Sequence, residues 1–468
     1  MPDSAPGTDV LNLSQHFPPT PTAEWEAAIH RDLKGADYEK KLVWRTEEEI
    51  AVRPYYRRED LDGKAAAVRG DGSAWEAAQE PEMAAGAIRA DQLHEAGANA
   101  VQELGYALAA AVERLAKLAA TLPVDKAARR IEFVFAIGST YFMEIAKLRA
   151  ARVLWTQAVA AFGGSAEAGR IRILARTSRR NKSVCDRYSN LLRATTEAMA
   201  AAIGGCRRLF VEPFGFDAHL ALNVQRVLRD EAHLDAAADP AGGSYFIEVL
   251  TDAVAREAWK LFQQVEAEGG YAKARESGSV ARALEASRAA RKKAAATRRR
   301  TLVGVNNYPD PNEKTSDVVP PGEGEEAPFP AFRLAEPFEK IRQRTTRHTA
   351  RTGCYPKLLL LKRGDLRMRM ARANFGRNFF GCAGFDIAEA EEYAGTDADL
   401  ILLCSSDAEY LEMAREVCAQ VSVPVIVAGN PKEQVEALQA AGVQGFIHVQ
   451  SDAVKTLSGW QDRLGMEA

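Results

Sequence analysis

Residues 131–155, IEFVFAIGSTYFMEIAKLRAARVLW, decide the fold. Ile131 to Ile137 is an apolar run rich in β-branched and aromatic side chains, too short for a buried helix and suited to a strand covered on both faces. Gly138 and Ser139 supply a turn. A helix follows, with Phe142, Ile145, Leu148 and Ala151 on one face and Glu144, Lys147, Arg149 and Arg152 largely off it. Strand, short turn and amphipathic helix make a β/α unit of a parallel sheet, so the expected class is α/β.

Working outward, 468 residues accommodate two or three domains with large cores. A net charge of -3 provides no global field for nucleic acid or an anionic membrane. Six cysteines (185, 206, 354, 382, 404, 418) form no CxxC pair, which fits a reducing compartment without a disulfide framework or structural zinc. The polar start MPDSAPGTDV is unlike a signal peptide, and the apolar runs stop short of a membrane span, so a cytoplasmic location is expected.

Residues 1–23 are rich in Pro, Ser and Thr; Thr22 is placed to cap a helix from Ala23 to about Leu33, with Trp25, Ala28 and Ile29 inward. Residues 61–73 are rich in Gly and Asp and read as a loop. Several prolines and an acidic Gly/Glu run at 309–335 mark a linker, followed by a charged helix near 336–350. From Pro356, apolar runs at 358–361, 400–404, 424–429 and 445–449 alternate with helical stretches at 365–380, 407–420, 431–441 and 453–463. Gly384-Phe385-Asp386 leads a fifth strand, giving a doubly wound, flavodoxin-like domain.

Several segments carry a family resemblance. YFMEIAKLRAARVLW at 141–155 is nearly identical to a barrel signature of the methylmalonyl-CoA mutase family, FFMEIAKLRAARxLW. HEAGANAVQELGYALA (94–109), RNKSVCDRYSNLLRATTEAMAAAIGG (180–205), ADPAGGSYFIE (238–248), EAEGGYAKARESG (266–278) and VGVNNYPD (303–310) resemble further stretches of that family. KKLVWRTEEEIAVRPYYRRED (40–60) is similar to its N-terminal arm, which wraps a partner subunit; a surface hairpin is the plainer reading. WEAAQE (75–80) is similar to the first barrel strand, with Glu80 where the family has a substrate-side Tyr. Only a few residues then precede the segment that follows the family's fifth strand. The resemblance therefore implies strand one followed by strands five to eight: a partial TIM-type barrel left as an open sheet, with strand one beside strand eight. The implied domains are an arm at 1–73, a truncated barrel at 74–308, a linker and helix at 309–350, and a degenerate cobalamin-binding-like domain at 351–468. An open remnant would leave its inner face, Phe133, Phe135, Ile171 and Ile173 or their alternates, for a partner to cover.

The family's chemistry needs residues that this chain lacks. Its cobalt ligand lies in Asp-x-His-x-x-Gly; registered on Gly384-Phe385-Asp386, those positions hold Arg367, Arg369 and Arg372. Arginine cannot shed its proton to become a ligand. The family's Ser-x-Leu falls on Ser405-Ser406-Asp407 and its Gly-Gly on Ala428-Gly429. His448, on the last strand, reads as a strand-end residue. In strand seven, the His that bonds the thioester carbonyl falls on Leu174 and a neighbouring Gln on Arg176, so that donor is absent. No catalytic, cofactor or metal residue is assigned. The resemblance implies a small, non-catalytic subunit paired with a catalytic large subunit that holds adenosylcobalamin and interconverts methylmalonyl-CoA and succinyl-CoA; a homodimer is the next assembly.

The alternatives are an active cobalamin-dependent acyl-CoA mutase and a docking module for a mutase-associated GTPase chaperone. The chain has no GxxxxGK[ST] of its own. The Arg/Lys-rich stretch 288–300 reads as a solvated helix face, with a phosphate or nucleic-acid site as its sharper reading. Cys185 and Cys404 read as core residues.

Overall fold

The structure, a computed structural model, describes residues 19–64, 75–310, 313, 327–395 and 397–467. Most of the Pro-rich start, the Gly/Asp-rich loop and the acidic part of the linker fall outside those residues. The chain divides at Asp60/Leu61 into two compact units.

In the first unit, helices α1 (Thr22–Asp32) and α2 (Tyr38–Leu42) precede an antiparallel hairpin of β1 (Trp44–Arg45) and β2 (Ala51–Val52). The Thr46 hydroxyl accepts from the N–H groups of Glu48 and Ile50 and shapes the turn. Thr22 is the first helical residue and not the cap: Pro21 holds that position, and the Thr22 hydroxyl donates to Glu59. Trp25 is not inward. It stands 45% exposed, edge-on to Tyr55 at 5.0 Å.

The second unit holds two parallel sheets. The first contains β3 (Glu76–Ala78), β4 (Ile88–Arg89), β5 (Phe133–Ile137), β6 (Ile173–Thr177) and β7 (Arg208–Phe210), in the order β3-β7-β6-β5-β4. It is an open sheet in which the first strand lies beside the last, as the sequence implied. Between its strands run α3 (Ala90–Ala96), α4 (Ala100–Ala119), α5 (Val124–Ala128), α6 (Tyr141–Ala161) and α7 (Ser189–Gly204). After β7 come α8 (Ala218–Arg226), α9 (Tyr245–Ala267), α10 (Tyr271–Glu276) and α11 (Ser279–Ala296). Local chemistry sets the helix ends: Asn99 and Gln102 form a reciprocal capping box on α4, Ser244 caps α9, and Gly205 ends α7 at φ 84°.

Phe133, Phe135 and Ile173 point to the helical side, where Phe133 meets Trp155 at 5.1 Å. The alternates Val134, Leu174 and Phe210 form the opposite face, and the expectation that this face lies bare is overturned. Val134 and Leu174 are 0% exposed and pack with Ala78 and Ala87. The cause is topological. β3 and β4 lie at opposite edges, four strand spacings or about 19 Å apart. Residues 79–87 must link the C-terminal end of one edge strand to the N-terminal end of the other. They form a strap across the face, fastened where the Ala84 N–H donates to Glu132 at 3.0 Å. Glu132 also takes the Arg208 guanidinium, at 3.0 Å to each oxygen.

α6 also departs from its helical-wheel reading. It packs against α4, α7 and α9 as well as the sheet, so Glu144, Lys147, Arg149 and Arg152 are buried with Ile145, Leu148 and Ala151. Phe142, expected inward, is 50% exposed and meets Phe246 at 5.2 Å.

Helix α12 (Glu336–Thr352) leads to the second sheet: β8 (Lys357–Lys362), β9 (Asp386–Ala390), β10 (Leu400–Cys404), β11 (Val425–Ala428) and β12 (Val443–Ile447). Its order, β12-β11-β10-β8-β9, is the doubly wound 2-1-3-4-5 arrangement. The helices α13 (Leu366–Gly381), α14 (Tyr410–Cys418), α15 (Val435–Ala440) and α16 (Ala453–Arg463) cover it. Alternate strand residues feed two cores. Leu359, Leu361, Ile401, Leu403 and Val427 pack on one side; Leu358, Leu360, Leu402 and Ile426 pack on the other. The second core runs on without a break into Leu302, Val305, Phe332, Phe338 and Ile341.

The stretch 288–300 is only in part a solvated face: Lys292, Lys293 and Arg299 are exposed, but other members turn inward. Arg291 is 5% exposed and donates to the carbonyls of Gly97 and Ala98. Arg288 lies over Phe332, Arg298 over Phe375 and Phe379, and Arg300 reaches Ser139. These arginines knit α11 to its neighbours.

Candidate functional site

In parallel α/β sheets, ligands meet the carboxyl ends of the strands. Each sheet has such an edge, and each edge carries charge.

At the first edge, Arg176 of β6 points to the strap side, directly above Leu174. Its guanidinium is 3.0 Å from Asp91, which follows β4, and 3.1 Å from Glu212, which follows β7. Arg89 closes on the same Asp91 at 2.8 Å, and Arg179 on the same Glu212 at 2.8 Å. Three arginines thus share two carboxylates. The guanidinium of Arg176 is spent inside the chain.

Beneath this layer is a second cluster. Lys147 of α6 is fully buried and donates to Glu103 of α4 and to the Ala136 carbonyl, both at 2.6 Å. Glu144 lies on its other side. His94 bridges Glu103 through Nδ1 and the Ser178 hydroxyl through Nε2, each at 3.0 Å. Burial holds the His94 imidazole well below its usual value, and Arg180 and Lys147 push the same way. Burial raises the Glu103 carboxyl to about 8, against the Lys147 ammonium. The Ser-His-Glu order resembles a nucleophile with its base, but Ser178 and Glu103 are 0% exposed and His94 is 2% exposed, so no substrate reaches them. The cluster is a structural knot joining α3, α4, α6 and β6.

The loop after β6 is closed from within the chain. Lys182 pairs with Glu197, and Asn181 donates to the same carboxylate at 2.7 Å. Glu339 of α12 accepts from the Ser183 hydroxyl, the Val184 N–H and Arg333. Leu334 N–H donates to the Arg180 carbonyl, and Phe332 N–H to that of Glu95. The loop is thus covered by residues 332–339. Glu80 is exposed on the strap, away from these clusters.

At the second edge, Arg367, Arg369 and Arg372 lie on α13. Arg367 is exposed. Arg369 pairs with Glu391 at 3.2 Å and Arg372 with Asp407 at 3.1 Å. The Arg372 guanidinium lies 3.4 Å from where a Cβ on Gly429 would stand. Tyr410 fills the remaining space, donating to the Ala428 carbonyl at 2.6 Å and accepting from Ser405 N–H at 3.2 Å. These residues do not fit a cobalt-bound corrinoid: the ligand positions carry guanidinium groups, and the slot beside Gly429 is occupied by Arg372 and Tyr410. His448 ends β12; its Nδ1 accepts from the Gln450 N–H, as suits a strand-end residue. Burial raises the Cys185 thiol to about 11 and the Cys404 thiol to about 12, which suits core packing.

The sequence singled out Leu174, Arg176, Arg367, Arg369 and Arg372, and the structure places each at an edge or on the strap-side face. It missed the partners of Arg176 and Arg369, namely Asp91, Glu212 and Glu391, and it named Asp407 without pairing it with Arg372. The available signal was weak, namely acidic residues just past the ends of β4, β7, β9 and β10.

Comparison with known proteins gives a consistent result. The profile of the methylmalonyl-CoA mutase family matches residues 45–335. A protein of Porphyromonas gingivalis named methylmalonyl-CoA mutase small subunit is 39% identical over 410 residues, covering 81% of this chain and 66% of the relative. One of the same name from Streptomyces virginiae is 34% identical, covering 82% and 65%. The methylmalonyl-CoA mutase of Escherichia coli is 36% identical over 256 residues, 53% of this chain and 36% of the relative. The chain thus spans just under two thirds of the small subunits it matches.

Proposed function

Because this chain belongs to the methylmalonyl-CoA mutase family, we propose that it is a small, non-catalytic subunit that supports a catalytic large subunit of a mutase-type isomerase. The large subunit holds adenosylcobalamin and interconverts methylmalonyl-CoA and succinyl-CoA. In this reading the first sheet is a barrel reduced to strands one and five to eight, and the second is a cobalamin-binding-type domain without its cofactor.

One observation carries the proposal. Where the family needs a neutral donor, Arg176 is locked between Asp91 and Glu212 above the buried Leu174. An uncharged acyl thioester in that position would have to displace a buried guanidinium and strand two carboxylates. Breaking such buried pairs costs about 3–5 kcal/mol each, more than a thioester carbonyl repays with a hydrogen bond of about 1–3 kcal/mol. The names of the relatives support the same role.

The test is to express the chain alone and beside a candidate large subunit, then measure sedimentation and methylmalonyl-CoA turnover. The proposal expects a heterodimer, with turnover that survives Arg176→Lys in this chain. Turnover by the lone chain with adenosylcobalamin would establish the active-mutase reading. Nucleotide-dependent capture of a GTPase, with no effect on the large subunit, would establish the chaperone-docking reading.

A further inference from the structure

The second sheet keeps the geometry of a ligand site at its switch point, between the carboxyl ends of β8 and β10, where strand order reverses. The turn after β8 is Arg363-Gly364-Asp365, with Gly364 at φ 77°. Three donor groups converge there on one carboxylate oxygen of Glu409. The Ser406 hydroxyl lies at 2.6 Å, the Ser406 N–H at 3.2 Å and the Asp365 N–H at 3.4 Å. The Ser405 hydroxyl is 2.7 Å from the same oxygen and 2.8 Å from the Arg363 carbonyl, so its single proton serves one or the other. The carboxylate occupies the volume that a Cβ on residue 364 would need. Only glycine leaves that space, so the turn is a cradle shaped around an anion.

We propose that this crevice is an oxyanion site for a phosphate or phosphomonoester group, filled in this chain by its own Glu409 carboxylate. Two serine hydroxyls, two backbone N–H groups and a glycine turn at a doubly wound switch point form a set of donors suited to phosphate oxygens. A carboxylate presents anionic acceptor oxygens of the same kind on a smaller, planar group of lower charge. Glu409 also stands three residues after Ser406, as in a helix-capping box. That plainer role predicts loss of stability when the carboxylate is removed, and no gain of binding. The donors favour the ionised carboxyl and hold it down at about 2, led by the Ser406 hydroxyl, so the occupant stays in place at any physiological pH. The inference does not depend on the subunit role proposed above.

The experiment compares thermal unfolding of the full chain in inorganic phosphate and in chloride at equal ionic strength, for the natural sequence, Glu409→Ala and Ser406→Ala/Glu409→Ala. The natural chain is expected to show no phosphate-specific shift. Glu409→Ala should gain one that rises with concentration and reports binding roughly tenfold or more tighter than in the natural chain. The double variant should lose that gain. Glu409→Gln, which keeps the side-chain volume without the charge, is expected to show a smaller gain. If Glu409→Ala folds only with phosphate present, the proposal stands. If it has no phosphate-specific response, fails to fold in either buffer, or gains a response that the double variant retains in full, the proposal is wrong.

Discussion

Replacing Lys147 by Met removes the cation that pairs with both Glu103 and Glu144. Lys147 and Glu103 are both 0% exposed, and the ammonium also satisfies the Ala136 carbonyl on β5. Methionine matches the stem and adds no cavity to speak of, so the change isolates charge. Burial works against the ammonium, but the two carboxylates outweigh it and hold Lys147 above the usual lysine range, so it is charged in the native chain. Its loss leaves buried carboxylates unpaired, at a cost of about 3–5 kcal/mol. The deficit should have a pH signature. Without Lys147 the Glu103 carboxyl rises further above its unfolded value, so the folded variant holds a proton that the unfolded chain gives up. That contribution is fully present below the unfolded value and is lost as pH rises through the folded one, at up to ~1.4 kcal/mol per pH unit. Because Glu103 already stands at about 8 with Lys147 present, urea titrations at pH 7, 8 and 9 should show a deficit that widens above pH 8, and Glu103→Gln added to Lys147→Met should recover part of it. A deficit below about 1 kcal/mol, or one independent of pH, would refute a charged lysine in a closed cluster.

Other predictions concern the same edges. His94 is held below its ordinary value, so the unfolded chain binds a proton that the folded chain does not; stability is full above pH 6.5 and falls as pH drops below it. His94→Gln should flatten that acid limb in a series of urea titrations, and an unchanged limb would remove His94 as its source. Leu174→Ala should cost about 2–5 kcal/mol, as a buried truncation does; a cost under about 1 kcal/mol would mean that the strap does not cover the sheet. Equilibrium dialysis against adenosylcobalamin should give no binding in the micromolar range, which corresponds to about -8 kcal/mol. Retention at that level would overturn the argument from Arg369 and Arg372.

The sequence made β5, β8, β10 and β11 legible because each is an apolar run buried on both faces. It made the sheet order legible because the short span between Glu80 and Ala87 leaves no room for strands between the first and the fifth. The strap escaped notice for a physical reason. Residues 79–87 have neither helical nor strand periodicity, and what turns them into a cover is that their ends lie at opposite edges of the sheet. The charged side of α6 was misread for a related reason. A helical wheel separates Lys147 from Ile145, but it does not know that helices occupy three sides, or that partners lie far off in sequence: Glu103 is 44 residues from Lys147 and Asp239 is 90 from Arg149.

The same limit explains why the arginines could be found and their partners could not. A guanidinium at a strand's carboxyl end, such as Arg176 or Arg372, reads from sequence as a lost ligand or a gained anion site. Which of these it is depends on whether an internal carboxylate reaches it. Asp91 and Glu212 reach Arg176 from strands on either side of its own, and Asp407 reaches Arg372 from the loop after β10. Both edges are thereby neutralised within the chain. A fold built around bound ligands has polar donors that must be satisfied once the ligand is gone, since each buried, unpaired group costs about 1–3 kcal/mol. Carboxylates supplied by the chain meet that requirement at Arg176, at Arg372 and around Gly364 alike; under the proposed subunit role, this is how the chain would keep its architecture without depending on a cofactor for stability.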